Sequence, residues 1–586
     1  MRIALRLYFK TTSKIMLLRV NFMQRITVCS IKHLDFMKKL RILVLLMTLF
    51  LSCKKESINN SNNVAVPWSA SVLTQHNDNT RAGINNHEKI LTTANVNTTQ
   101  FGKLFTLSVD DEVYSQPLVF SNLAIGTGKH NVVFIATVNN TIYAFDGNIG
   151  NLYWGKNFTV SGMRPPNTGD MTSGCNPYTD FTYNIGIVGT PVIDSLSQTI
   201  YFVARSTNGT SFYQYLHALN IVNGNEQSGS PVLITASVTG TGDGSVNNVV
   251  SFDPWRNNQR QGLTLVKGVV YITYSSHCDW GPYHGWILGY NAGTLQKQIV
   301  YNDTPYGEDG GIWESGMGMA ADAQGNLYVT TGNGTVGTAN GTSQNNPSPD
   351  PTDLTNRGES ALKLSPSGST LIVSSYFTPS NYLDLNINDL DYGSMGTFLI
   401  PNSSYYFTGG KDGNLYLLNK DNMGGYSSSS NQVQQTIPIK DNLHCLPAYY
   451  KGSINEFVYL WSENVKLRAL SFDRSSNTFS DLQIVSNVNG PTGQSGAELS
   501  VSSNGLVDGT GILWASYAIA TDAGVVAGPG ILRAFDANDI TKELWDTGEN
   551  SNDYPGYFAK FSAPTIANGH VYLATFSKQV AVYGLK

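Results

Sequence analysis

From residue 116 onward one pattern of apolar and polar positions recurs along the chain. A small residue, often followed by Pro, opens a short apolar strand; a Gly/Asn/Asp turn leads to a denser strand, and a second turn to a third strand. The unit starts at Gln116, Gly189, Gln261, Ser315, Ser394, Cys445, Ser495 and Ser562. Its second strand is the clearest: 132–137, 199–204, 269–274, 327–331, 405–409, 457–462, 512–517 and 570–575. These runs are β-branched and aromatic and nearly continuous rather than alternating, which is the mark of burial on both faces. A ring of radially packed sheets buries each sheet between two neighbours in that way, whereas a helix-free solenoid of so long a repeat competes poorly. The pattern predicts an all-β, eight-bladed propeller of four-stranded antiparallel blades, with seven blades as the fallback if one divergent unit is miscounted.

Closure of the ring is a separate expectation. The eighth unit supplies strands near Pro564, at 570–575 and at 579–583, and the sequence then stops at Lys586 without an outer strand. Segment 101–107 reads as a strand with no blade of its own. Docked on the last blade it completes four strands and covers an exposed sheet edge.

The turn after the third strand of the first unit carries a family signature. Ala144-Phe145-Asp146 with Gly150 and Trp154 resembles the A-x-D-x-x-x-G-x-x-x-W motif of propellers of the pyrroloquinoline-quinone (PQQ) type. Asp146 can hold backbone N–H groups across the turn, Gly150 can take positive φ, and Trp154 offers an apolar plate between blades. Ala534-Phe535-Asp536 with Trp545, and Ala218-Leu219-Asn220 with Gly224, are decayed copies. The resemblance covers roughly residues 100–586 and implies fold; it does not carry chemistry over.

The N-terminal region reads as processing signal rather than fold. Lys38, Lys39 and Arg41 precede an apolar run at 42–51, then Ser52 and Cys53. Ten apolar residues are too few for a spanning helix, which needs about 20. A basic stub, a short apolar stretch and a small residue make an export signal. The following Cys makes it resemble a bacterial lipoprotein signal, with Cys53 the lipidated first residue, although Phe50 stands where such signals usually carry Leu. We therefore expect an upstream extension at 1–36, a signal at 37–52, a flexible tether at 53–66 and a single propeller domain at 67–586. The resemblance places the protein in the cell envelope, anchored to the outer membrane because Lys54 rather than Asp follows Cys53.

Ten of the 37 Lys/Arg and one of the 42 Asp/Glu lie in residues 1–52, so the processed chain would carry a formal charge of −14. An acidic surface is a poor partner for phosphate backbones, and nucleic acid is excluded as a ligand class. Beyond Cys29 and Cys53 there are three cysteines, Cys175, Cys278 and Cys445. In an oxidising compartment one disulfide and one free thiol is the simplest outcome, and no C-x-x-C pair supports zinc or thiol-redox chemistry.

In propellers, one rim of the channel is formed by blade-to-blade connections and by loops between second and third strands. The residues just before each unit are therefore candidate ligand contacts: Gln116, Arg260, Glu314, Asp389, Asp391, His444 and Lys560, with Gln494 beside them. The loop 275–286 adds His277 and His284, together with Cys278, Asp279 and two Trp. It allows three readings: a transition-metal site, a structural disulfide from Cys278 to Cys175 or Cys445, or aromatic packing. No ligand spacing is met there, and a calcium loop from Asp384 fails because Asp389 and Met395 stand where Gly and Glu are needed. No metal is assigned. The polar stretch 332–358 has the length of a lid or a disordered excursion.

Enzymes of the PQQ family hold their cofactor between a Trp and a vicinal Cys-Cys disulfide, beside a calcium bound by Glu, Asn and Asp. The cysteines here are isolated, and there is neither a haem C-x-x-C-H nor a G-x-S-x-G motif. No catalytic residue and no cofactor are assigned; PQQ with calcium is allowed by the resemblance and unsupported by the residues. The leading reading is a non-catalytic binding or scaffold propeller for a protein or glycan, held at the membrane only by its lipid. The alternatives are a PQQ-dependent oxidoreductase acting on an alcohol or sugar, and a polysaccharide-active enzyme pairing Glu314 with Asp389 or Asp391.

Overall fold

The computed structural model describes residues 70–586 apart from residue 342, and leaves the side chains of Asp481 and Leu482 undescribed. The expected signal, lipidation site and tether at 1–66 lie outside the described residues. Eight sheets, each built on four antiparallel blade strands, follow one another in chain order, two of them extended by a short fifth strand, Asn257–Asn258 or Ile84–Asn85. Their inner strands are Leu118–Ile125, Val192–Asp194, Thr264–Val266, Ala320–Ala321, Phe398–Leu399, Ala448–Lys451, Glu498–Ser502 and Thr565–Ala567. We number the blades one to eight in that order. The fold is the eight-bladed propeller that the repeat predicts.

The second strands show why the repeat was legible. Thr199–Thr207 and Ile512–Ala518 are buried at every position, since each blade packs a face against each neighbour. The docking turn behaves as its residues suggest. Asp146 accepts from the backbone N–H of Asn148 (2.9 Å) and Ile149 (3.2 Å), and Gly150 takes φ +77°. Trp154 reaches blade two, where its Nε1–H donates to the carbonyl of Ile221.

Phe101–Ser108 pairs antiparallel with Gln579–Leu585, Phe101 opposite Leu585 and Ser108 opposite Gln579. The outer strand of blade eight therefore comes from the beginning of the described chain, as expected. Phe101 is fully buried, edge-on to Trp545 at 4.9 Å and tilted against Trp514 at 5.5 Å.

One element has no counterpart in the repeat. Residues 71–88 run as a strap along the channel. Val72 exchanges 2.8 Å backbone hydrogen bonds with Val119 of blade one. The carbonyls of Leu73, Asn79, Thr80, Ala82 and Gly83 then accept from Ile193, Ala321, Leu399, Tyr449 and Val501 of blades two, four, five, six and seven, each at 2.7–2.8 Å. Blade three is met by Asn79 Nδ2 on the Leu265 carbonyl, and blade eight by Asn85 Nδ2 on the Ile566 carbonyl. Inner strands present unpaired edges to a channel; the strap satisfies them around the whole ring. Residues 332–358 are an ordered excursion wherever described, with Gly337 N–H on the Asn356 carbonyl and Arg357 fully buried.

Candidate functional site

Every blade-to-blade junction contributes to one cavity at the mouth of the channel. Tyr114 precedes blade one, Asp180 blade two, Arg260 blade three, Trp313 blade four, Asp391 blade five, His444 blade six, Gln494 blade seven and Lys560 blade eight. Two chambers meet at Asp180 and Arg260. The outer, of about 110 Å³, is polar and includes Asp279 and Lys411; the inner, a narrow space of about 20 Å³, is walled by Tyr114, Phe181, Val188 and Phe561.

A disulfide shapes the rim. Cys175 in the long connection before blade two bonds Cys278 in the loop between the second and third strands of blade three, 103 residues away. It places Asp180 and Asp279 at the same mouth. Cys445 remains a buried free thiol, its ionisation disfavoured by burial.

Most charges here are spent on one another. Lys411 Nζ lies 2.6 Å from Asp391 and 3.0 Å from Asp389, and although burial alone would lower it, these two carboxylates keep the ammonium above its ordinary value. Asp391 also accepts from the N–H of Asn333 at 2.8 Å. Lys560 Nζ sits 3.4 Å from Asp180, with burial pulling its ionisation down. His444 Nδ1 bonds Glu463 at 2.7 Å. Arg260 differs. Its guanidinium lies over the rings of Phe561 (4.5 Å) and Trp313 (5.5 Å), its Nε–H donates to the Trp313 carbonyl, and its terminal nitrogens have no partner among the described residues. Asp279 is open to the mouth and likewise has no cation within 4 Å among those residues; it accepts only from Tyr283 Oη. The surrounding walls and then Asp391 raise its carboxyl.

Of the candidates read from the sequence, Arg260, Asp391, His444 and Lys560 line the cavity, and Asp389 flanks it through Lys411. Four others are placed elsewhere, each for a local reason. Gln116 is buried, accepting from the His76 N–H and donating to Thr565. His277 is buried between Tyr178 Oη (2.6 Å) and Arg205, whose guanidinium donates to Nε2, and burial holds the ring neutral. His284 is buried against Thr304 and the Asp243 carbonyl, on a side groove of blade three. Glu314 takes a left-handed φ of +46° that turns its carboxyl inward, where Thr330 N–H donates to it and burial raises it to about 8. The rule that found the rim also covered loops between second and third strands; applied there, it would have found Lys411, in the turn of blade five. Asp180 had no signal, since its long connection belongs to no repeat.

The PQQ arrangement needs a vicinal Cys-Cys disulfide, a free Trp face and carboxylates open to a calcium ion. The one disulfide among the described residues joins positions far apart in sequence, not neighbours. The face of Trp313 is shared with Arg260, Asp389 and Asp391 are held by Lys411, and Glu314 is turned away. Among the described residues no group of three or more His, Cys, Asp or Glu is placed to hold a metal ion. The residues do not fit PQQ with calcium in the manner of that family.

No protein-family model and no curated protein matches the chain. Solved structures do. The quinohemoprotein alcohol dehydrogenase ADHIIG from Pseudomonas putida HK5 superposes with a TM-score of 0.53 at 11% identity, covering 88% of this chain and 80% of its own. The quinohemoprotein alcohol dehydrogenase from Comamonas testosteroni gives 0.53 at 12%, covering 89% and 81%. What this chain shares with both is the eight-bladed PQQ-like propeller fold.

Proposed function

We propose that the protein is a binding propeller of the bacterial envelope, exported and lipid-anchored at Cys53, which holds a small polar ligand at the channel mouth without transforming it. The observation that carries this reading is the convergence of all eight junctions on a single cavity that keeps an unpaired Arg260. A concave site with a few convergent polar groups is where propellers and other folds bind small molecules. Its carboxylates at Asp389 and Asp391 are both held by Lys411, which suits a fixed binding surface better than proton transfer.

Thermal-shift screening of the purified protein against a panel of polar metabolites checks the reading. We expect at least one compound to raise the melting temperature of the parent protein and to leave Arg260→Ala unmoved; a panel without any Arg260-dependent compound would count against the mouth as a site. Supplying PQQ and calcium with a dye acceptor and alcohols or sugars should leave the dye oxidised, and its reduction would restore the oxidoreductase reading. For the anchor, Cys53→Ser should abolish labelling by palmitate and move the protein from the membrane fraction to the soluble one.

A further inference from the structure

We infer that the ligand of this mouth is a zwitterion, a free amino acid or short peptide carrying an apolar side chain. The inference rests on the reading of the mouth as a ligand site and adds its chemistry. Six formal charges line the two chambers, and four are matched within the protein: Lys411 by Asp391 and Lys560 by Asp180. One cation and one anion are left over, Arg260 and Asp279, both on the outer chamber. An unmatched charge withdrawn from water is costly, as for Arg260 between Trp313 and Phe561, and a ligand bearing both signs would match Arg260 and meet the open Asp279 at once. A simple anion would satisfy Arg260 and face Asp279 with the wrong sign, and an amine would do the reverse.

The two charges are also presented differently. Arg260 is held flat by Phe561 and Trp313 and by the Trp313 carbonyl, so its free terminal nitrogens offer a fixed fork of the kind that pairs with a carboxylate. Asp279 stands on the disulfide-tied loop, its carboxylate steadied by Tyr283 Oη and adjacent to Asp391 and Asp389, so this side of the chamber is net acidic and attracts an ammonium. Arg260 also borders the inner chamber, where the wall of Tyr114, Phe181, Val188 and Phe561 favours an apolar rather than a polar side chain next to the bound carboxylate. A neutral sugar would need a free aromatic face and paired hydrogen-bonding groups. The Arg260 guanidinium instead occupies a face of both Trp313 and Phe561.

Calorimetric titration of the purified full chain decides the matter. The probes are L-phenylalanine, N-acetyl-L-phenylalanine, which lacks the ammonium, phenethylamine, which lacks the carboxylate, and glucose. L-Phenylalanine should bind, and each truncated probe should bind about tenfold more weakly or worse, the equivalent of one lost charge-assisted contact. Arg260→Ala should weaken L-phenylalanine and N-acetyl-L-phenylalanine; Asp279→Asn, an exposed isosteric change that spares the fold, should weaken L-phenylalanine and phenethylamine only. Glucose or N-acetyl-L-phenylalanine binding as tightly as L-phenylalanine, yet lost in Arg260→Ala, would overturn the zwitterion and keep the mouth as a site. Binding of L-phenylalanine indifferent to both substitutions would overturn both readings. Absence of L-phenylalanine binding would overturn the zwitterion alone, the metabolite panel standing as the separate test of the mouth.

Discussion

Arg81 is fully buried at the hub of the strap, with no carboxylate within ion-pair distance among the described residues. Its charge is carried by hydrogen bonds alone: to Thr74 Oγ1 (2.8 Å), the Gln75 carbonyl (2.6 Å), Thr264 Oγ1 (2.6 Å), and the carbonyls of Leu263 and Met319 at 3.3 Å. Burial lowers its ionisation to about 10, still far above neutrality. Removing the side chain strands several buried acceptors and leaves a cavity. Arg81→Ala should therefore cost roughly 3 kcal/mol or more, read as a shift in the guanidinium-chloride midpoint, whereas an exposed change such as Leu196→Ala should cost almost nothing. The same contrast holds at the closing strand: Phe101→Ala should cost about 3–5 kcal/mol, while Leu104→Ala, on the half-exposed face of that strand, should cost far less.

Two elements tie together parts of the chain that are distant in sequence. The strap satisfies the inner-strand amides of Val119, Ile193, Ala321, Leu399, Tyr449 and Val501. In hydrogen exchange these six amides should be slow together in the parent protein and quicken together in Arg81→Ala, because one segment protects them all; independent behaviour, blade by blade, would show that the strap is not a unit. The Cys175–Cys278 bond closes a loop of 103 residues, for which loop-closure entropy sets a ceiling of about 4–5 kcal/mol. Replacing both cysteines by Ser should lower the denaturation midpoint and, because Asp279 sits next to the bond, weaken ligand binding at the mouth as well.

Over the whole molecule, stability should fall as pH rises from about 6.5 to about 8. Burial raises Glu314, Glu498 and Asp309 to about 8 and Glu112 to about 7, and pushes Asp303 and Glu359 up as well. In the unfolded chain such carboxyls titrate near 4. The folded protein thus keeps protons that the unfolded chain has lost, so the contribution of these groups is full below the unfolded values and is lost as pH climbs through the folded ones. His76, His277, His284 and His570 act in the opposite direction, being held neutral by burial, but their effect ends near the unfolded value of about 6.5. Above that pH only the carboxyls count. Melting temperatures measured across this window should decline, and Glu314→Gln with Glu498→Gln should flatten the slope; a flat or rising profile in the parent protein would contradict the assignment.

What the amino-acid sequence determined was whatever repeats or closes a repeat. Burial on both faces imposes continuous apolar second strands, so eight blades could be counted, and a last unit short of one strand called for segment 101–107. The mouth was legible in outline, because any residue just before an inner strand must lie near the axis. The tertiary structure alone decided where those side chains point. Gln116, His277 and His284 are held by partners remote in sequence, Glu314 is turned inward by a left-handed backbone, and no periodicity records either. It also decided the strap, a polar segment without period whose bonds go to backbone edges that exist only once the ring has formed. The balance of charge at the mouth was settled in the same way: Lys411 finds Asp391 at the entry to its own blade and Lys560 finds Asp180 across the mouth, and only after that pairing do Arg260 and Asp279 stand unmatched.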